Sequence, residues 1–412
     1  MKFRCRICFG EKYSLVINLG ELALSGIFPK AGENVETTSL ILVSCDECKL
    51  TQLIDSQPIE DLYTDGYGYE SHLNKSMSKH LGEIVSNLTS LVNLNNGDVV
   101  LDIASNDGTL LSKYEDTQLI KVGVDPLISS LSDFYPSQTI KIESFFNSEI
   151  YEKKVNKTAK IITACSVFYD LENPKKFILD IEKVLDDFGI CFFEQSYLYS
   201  MFETLSFDTI CHEHLLYLRL IDFERLLHGT DLEVFDVKLN NVNGGSFQVY
   251  LKKKSNNLLT VSTNVAKTLQ YESALELNSG HEKRAQEFAH KTESYPNKLH
   301  QLLDDLKNAS SREIYALGAS TKGNVLLQYC GLDSTDVVSI GEINQKKFGL
   351  YTPGSKIPII AEKEILSLKK NISLLILPWH FQKGIIEKIK NLKKSNFNFI
   401  VPLPIEPKVI DI

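Results

Sequence analysis

One stretch constrains the fold more than any other. DVVLDIA (98–104) runs straight into SNDG (105–108) and then into TLL (109–111). A short apolar run with β-branched residues is a strand buried on both faces. The polar turn after it holds Gly108, which lets backbone come close to a ligand, and Asn106 and Asp107, which suit the cap of a helix opening at Thr109. Further on, VGVDP places Asp125 at the end of a second strand. AKIITACSVFYDL and GICFFEQSYL read as two more strands, with PKKFILDIEKVLDDF as a helix between them. Strand and helix alternating in this way predict an α/β fold with a parallel, doubly wound sheet.

Length allows more than this one unit. A chain of 412 residues is expected to form two or three domains, each with its own core. Hydrophobic residues at 43% and charged residues at 24% are ordinary for a soluble globular protein. A net charge of −9 argues against nucleic-acid binding as the main activity. No apolar run approaches the roughly 20 residues of a membrane span, and MKFRCRICFG lacks the apolar stretch of a signal peptide. The expectation is a cytoplasmic protein that engages neither membrane nor nucleic acid, with its eight cysteines mostly reduced.

Four of those cysteines form two C-x-x-C pairs. They are Cys5 and Cys8 in CRIC, and Cys45 and Cys48 in CDEC. Four thiolates complete a closed tetrahedral zinc shell with no position left for water or substrate. A region this small buries little core, so a structural Zn2+ would supply much of its folding energy. A disulfide pair and unpaired core cysteines are the competing readings. A nucleic-acid-binding ribbon would want more bases than Lys2, Arg4, Arg6 and Lys12.

The central turn bears on the cofactor. A dinucleotide calls for G-x-G-x-x-G under its pyrophosphate, whereas DIASNDG has one glycine and extra polar side chains. S-adenosylmethionine fits better, because its charged amino-acid end needs an acceptor such as Asp102 and it has no pyrophosphate to cradle. Asp125 sits where an acid takes the two ribose hydroxyls. Its neighbours Ala104, Ser105, Asn106, Asp107, Gly108 and Pro126, with Ser166 and Tyr169 after the next strand, complete the expected cofactor contacts.

FDTICHEHLLY (207–217) packs His212, Glu213 and His214 together in a chain with only nine histidines. Read as a strand, it would put His212 and His214 on one face, two ligands where a catalytic metal usually takes three. Acid/base work and a hydrogen-bonded structural role are the other readings. In the last third, EIYALGASTKGNVLLQY repeats the strand–turn–helix logic. Its turn carries Lys322 and Asn324 but lacks the glycine that a Walker A motif has before its lysine. A helix start with lysine suits an anion, so the turn is expected to face the diphosphate or sugar of a substrate. DVVSIGEIN, ISLLILPWHF and FNFIVPLP are expected to complete a second parallel sheet, with Trp379 and His380 at a strand's carboxyl end.

The segments CRIC…CDEC, LALSGIFPK, YGYESHLNKSM, LDIASNDGTLL, VFYDLENP, FEQSYL, FDTICHEHLLY, NGGSFQVY, ALGASTKGNVLLQYCG and ILPWHF together resemble the sugar C-methyltransferases. The resemblance covers essentially the whole chain. It implies a class I methyltransferase sheet (61–250), a small N-terminal zinc-binding module (1–60) and a C-terminal Rossmann-like α/β domain that binds substrate (251–412). It also implies transfer of a methyl group from S-adenosylmethionine to a carbon of a nucleotide-linked keto-deoxysugar, by way of an enolate. The branched sugar would serve a surface polysaccharide or a glycosylated metabolite. His214 falls on the family's base, Glu213 beside it, and Tyr67 and Tyr69 on the pair that closes over donor and substrate. Many members have tyrosine where this chain has Cys211, and some have histidine where it has Tyr169, which bears on the sugar more than on the reaction. His212, Gln195, Asn243, Lys322 and Asn324 are the expected substrate contacts, and a monomer is slightly favoured. O-methylation of a sugar nucleotide and nicotinamide-dependent oxidation or epimerisation are the alternative activities.

Overall fold

The computed structural model describes residues 3–58, 62, 68–131, 134–310, 312–392 and 397–411. Tyr67 lies outside the described residues. The first three strands are β1 (Tyr13–Ala23), β2 (Thr37–Cys45) and β3 (Thr51–Leu53). Next come β4 (Val99–Ile103), β5 (Ile120–Val124), β6 (Ile140–Ile142), β7 (Ala159–Cys165) and β8 (Leu185–Ser196). A two-residue strand, β9 (Leu216–Tyr217), precedes the hairpin β10 (Leu232–Asn240) and β11 (Ser246–Lys253).

The central sheet has the order β10-β11-β8-β7-β4-β5-β6. Strands β4 to β8 are parallel to their neighbours. Every residue of β4 is buried, as a strand covered on both faces requires. The sheet is not parallel throughout, because β11 runs antiparallel to both β8 and β10. The physical reason is the short link at 241–245, which allows a hairpin but no helical crossover. Strand order reverses between β4 and β7, and ligands bind at such a switch point. A second expectation fails nearby. The helix expected from Thr109 is only a 3₁₀ turn at Leu111–Lys113. Asp107 Oδ1 instead accepts from the Thr109 amide at 3.0 Å, closing a local turn.

Helices Thr263–Glu276 and Gly280–Ser310 lead to the third sheet. The left-handed residues Asn278 and Ser279 make the break between them. This sheet holds β12 (Glu313–Leu317), β13 (Ile340–Glu342), β14 (Ile359–Ala361), β15 (Ile372–Ile376), β16 (Phe397–Val401) and β17 (Lys408–Asp411). Its order is β14-β13-β12-β15-β16-β17, with a switch point between β12 and β15. It too is mixed rather than parallel, since β17 returns antiparallel on β16.

The N-terminal sheet reads β1-β2-β3-β9. Its last strand comes from the segment just after His214, so the cysteine-bearing region is hydrogen-bonded directly to FDTICHEHLLY. Asn324 Nδ2 donates to the Ser25 carbonyl at 2.7 Å, and Gln328 bonds both backbone groups of Ala23. Residues 23–26 are thereby pinned between the first and third sheets.

Candidate active site

The switch point of the central sheet is built from strained backbone and clustered acids. Ala104 (φ 56°), Asn106 (φ 50°) and Ser166 (φ 54°) are left-handed non-glycine residues at the ends of β4 and β7. Strain of this kind persists where the surroundings fix it, and it concentrates at binding sites. Gly108 (φ 80°) could carry no side chain, because a Cβ there would stand 2.6 Å from the Tyr135 ring. The Tyr135 hydroxyl lies 2.7 Å from Ser105 Oγ and donates to the Asn106 carbonyl at 2.9 Å. Asp125 accepts from the amides of Asn106 (2.9 Å) and Leu127 (2.8 Å). Asp107 accepts from the His72 amide at 2.9 Å and lies 2.8 Å from its Nδ1. Pro126 follows Asp125 at the rim.

Asp102 is buried and bonded to the Thr163 hydroxyl at 2.6 Å. Burial raises its pKa to about 7, and the nearby Asp125 and Asp107 add to the rise. Burial also raises Asp125. Among the described residues neither Asp102 nor Asp125 forms an ion pair. Three clustered carboxylates with so little cationic compensation fit a ligand bearing an ammonium and a sulfonium, as S-adenosylmethionine does. Tyr69 borders this pocket. It is 41% exposed, and its carbonyl accepts from Asn106 Nδ2 at 3.0 Å.

FDTICHEHLLY is not a strand until Leu216. His212 and Glu213 form a turn, and His214 N closes it onto the Cys211 carbonyl at 3.1 Å. The two histidines consequently do not share a face. His212 is buried, with Nε2 3.5 Å from the Thr38 carbonyl of β2, which sets it toward the N-terminal sheet. His214 Nδ1 donates to the Thr209 carbonyl at 2.8 Å, because a carbonyl can only accept, and Nε2 is left as the acceptor. Burial, followed by the charge of Lys322, lowers the His214 pKa to about 3. The imidazole is therefore neutral at any working pH.

Tyr169 lies against that ring, with centroids 4.1 Å apart, so it stands beside the histidine. Glu213 turns the other way, its Oε1 only 2.6 Å from where a Cβ of Gly26 would be. Burial raises the Glu213 pKa, and the Cys211 thiol hydrogen-bonds to it. Cys211 is itself fully buried with its thiol pushed well up, so it offers no thiolate. Gln195, 1% exposed at the end of β8, has neither amide atom partnered among the described residues. Asn324 Oδ1 is likewise buried and unpartnered.

The third sheet supplies the facing wall. Lys322 Nζ reaches across to donate to the Asn243 carbonyl at 2.9 Å. Trp379 Nε1 donates to Asp208 Oδ2 at 2.8 Å, and its ring would stand 2.9 Å from a Cβ at Gly244. Sequence reasoning missed Asp208. Its signal was an acid six positions ahead of His214 in the same motif.

Four sulfurs meet separately. Cys5 and Cys48 lie 3.6 Å apart, Cys8 and Cys45 3.5 Å apart, and all four within 4.8 Å of one another. None is in a disulfide. A tetrahedron with Zn–S near 2.3 Å has edges of about 3.8 Å, so these sulfurs could hold Zn2+. Both knuckles fold alike, each closing on a left-handed residue, Phe9 (φ 63°) or Lys49 (φ 61°).

Residues 71–237 match the family described as "Methyltransferase domain", and residues 241–404 match "C-methyltransferase C-terminal domain". The two matches are interrupted only at 238–240. Together the two matches make the chain similar to methyltransferases over most of its length, and to C-methyltransferases over residues 241–404. The chain is 27% identical to C-methyltransferase NovU of Streptomyces niveus, over 98% of this chain and 96% of that one. This C-methyltransferase is S-adenosylmethionine-dependent. Among solved structures, an S-adenosylmethionine-dependent methyltransferase from Clostridium acetobutylicum is similar over 43% of this chain and 92% of its own. The identity there is 16% and the TM-score 0.35. Magnesium protoporphyrin IX methyltransferase from Synechocystis is similar over 43% and 79%, at 11% identity and TM-score 0.32. The class I fold of this C-methyltransferase is carried by its own strand order, with the reversed β11 between β8 and β10. Among the described residues no helix is long and apolar enough to cross a membrane.

Proposed function

We propose that the enzyme methylates a carbon beside the keto group of a nucleotide-linked deoxysugar, by way of an enolate, for a branched sugar of a surface polysaccharide or glycosylated metabolite. The observation that carries this is His214. Its Nδ1 is tied to the Thr209 carbonyl, which leaves Nε2 as a neutral, oriented base. A carbon needs such a base before it can act as a nucleophile. When bound, S-adenosylmethionine supplies an electrophilic methyl group on its sulfonium. Asp102 would hold the cofactor's ammonium and Asp125 its ribose, with Tyr69 at the mouth of the pocket. Nε2 of His214 would take the α-proton, and Tyr169 would pack the imidazole from the side. Gln195 and Asn324 keep unpartnered buried amide atoms that suit hydroxyls of a sugar. Zn2+ would be held by Cys5, Cys8, Cys45 and Cys48, as a closed structural site with no position left for substrate.

The test is incubation with S-adenosylmethionine and a panel of nucleotide-linked 4-keto-deoxysugars in deuterated water, read by NMR and mass spectrometry. The expected result is a new carbon-bound methyl, with deuterium entering the α-position when the cofactor is left out. A product methylated with no sugar of the panel showing α-exchange would overturn the enolate route.

A further inference from the structure

We infer that Lys322 is a catalytic group whose ammonium meets the keto oxygen as His214 takes the α-proton, and that it does not hold the substrate's diphosphate. The inference rests on the enolate reading above. Lys322 is the second residue of the helix Thr321–Tyr329, which starts at the switch point of the third sheet. From there its Nζ crosses to the other sheet and is fixed on the Asn243 carbonyl at 2.9 Å. Trp379, across the same switch point, crosses in parallel to Asp208. The ammonium thus reaches from the third sheet to the link between β10 and β11 of the central sheet.

Its electrostatic neighbours are Asp208, Cys211, His214 and His380. Three of the four lie within the seven residues that end at the base. Asp208 Oδ1 has no hydrogen-bond partner among the described residues, and this buried carboxylate favours the charged form of Lys322.

Two physical arguments favour the oxyanion over the diphosphate. First, a cation beside a base weakens it, and Lys322 adds to the larger effect of burial on His214. The arrangement is useful only if a negative charge appears between the two as the proton moves. Second, a diphosphate at this place would bring several negative charges against the Asp208 carboxylate in a buried setting, where an enolate oxygen brings a single charge that the Lys322 ammonium offsets. In the step itself, His214 Nε2 gains the proton. The C–H electron pair becomes the new C=C bond, and the carbonyl π pair moves onto oxygen. Lys322 donates a hydrogen bond to that oxygen and keeps its protons. Removing one such donor typically slows turnover by about 10²–10³-fold.

The experiment compares the unmodified enzyme with Lys322→Met and Lys322→Gln. The Gln variant keeps a donor for the Asn243 carbonyl if the Met variant does not fold. With no cofactor present, α-deuterium exchange is measured at a saturating concentration of the keto-sugar nucleotide that the unmodified enzyme exchanges. Affinity for that sugar and for the free nucleoside diphosphate is measured alongside. The expected result is exchange slowed by about 100-fold or more, with both affinities within a few-fold of the unmodified enzyme. Unchanged exchange at saturation, with affinity for the free nucleoside diphosphate down tenfold or more, would overturn the assignment in favour of a diphosphate contact. No exchange by the unmodified enzyme on any sugar would overturn the enolate reading, and this assignment with it.

Discussion

At the scale of single residues, the site sets proton affinities against their usual values. The pKa of His214, about 3, means that its imidazole does not protonate as pH falls through the ordinary histidine range near 6.5. The acid limb of kcat/KM should accordingly fall below pH 5, and a limb near pH 6.5 would show that the base is not this buried imidazole. Burial also lowers the Lys322 pKa, so the alkaline limb should arrive before the usual lysine value of about 10.4. His214→Asn keeps a donor for the Thr209 carbonyl and replaces the basic Nε2 with a non-basic amide. It should cut turnover by about 10²–10⁴-fold, with S-adenosylmethionine affinity measured by calorimetry unchanged. Residue types and spacing singled out the His212–His214 segment and the Asp102–Gly108 turn, while the family resemblance singled out His214. The role of Asp208 was not legible, because its partner Trp379 lies 171 positions away.

At the scale of elements, β3 and β9 join the cysteine cluster to the segment of His214. Strand β3 begins just after Cys48, and it pairs antiparallel with β9 just after His214. Leu53 N donates to the Leu215 carbonyl at 2.9 Å. Arg219 Nη2 and Arg225 Nη1 both donate to the Cys48 carbonyl, at 3.0 and 2.7 Å. Loosening the knuckle with Cys48→Ser, or with a chelator, should therefore disturb His214 while sparing the cofactor pocket. The expected result is faster amide hydrogen exchange over 51–53 and 214–217, with S-adenosylmethionine affinity kept. Unchanged amide exchange in these strands would refute the coupling. Arg219 is 0% exposed and paired with Asp222 and Glu276. Arg219→Met would leave the buried Asp222 with only the partly exposed Arg225 at 3.1 Å, and denaturant unfolding should show a loss of about 3–5 kcal/mol.

At the scale of the whole molecule, the long helix Gly280–Ser310 braces the first sheet through His281, whose Nε2 lies 3.0 Å from Ser44 Oγ. Burial, then Arg219, lowers the His281 pKa to about 4, against smaller opposing effects of Glu276, Glu282 and Asp222. The unfolded chain therefore takes up this proton first. The stabilisation is complete well above pH 6.5, and it is lost as pH falls from about 6.5 toward 4. Between pH 7 and pH 5 the unmodified protein should lose about 2 kcal/mol more than His281→Asn in denaturant unfolding. Equal losses would show that the ring is already hydrated or protonated in the fold.

Local physics determined what the sequence alone could reveal. Buried strands, a strand–turn–helix with one glycine, doubled C-x-x-C pairs and a histidine-rich segment are all short-range patterns. Each pointed to a local structure or chemistry without reference to the rest of the chain, although the helix expected from Thr109 is only a 3₁₀ turn. The tertiary structure decided what depends on contacts between distant segments. Hairpin geometry put β11 antiparallel in the central sheet, and the turn at His212–Glu213 separated two histidines that strand periodicity would have put on one face. Pairing of β3 with β9 tied the cysteine cluster to the segment of His214. Packing of one switch point against the other brought Lys322 to Asn243 and Trp379 to Asp208. Hydrogen bonds and charges act over a few ångströms of space, whatever the separation in sequence, so these pairings had no local signature to read.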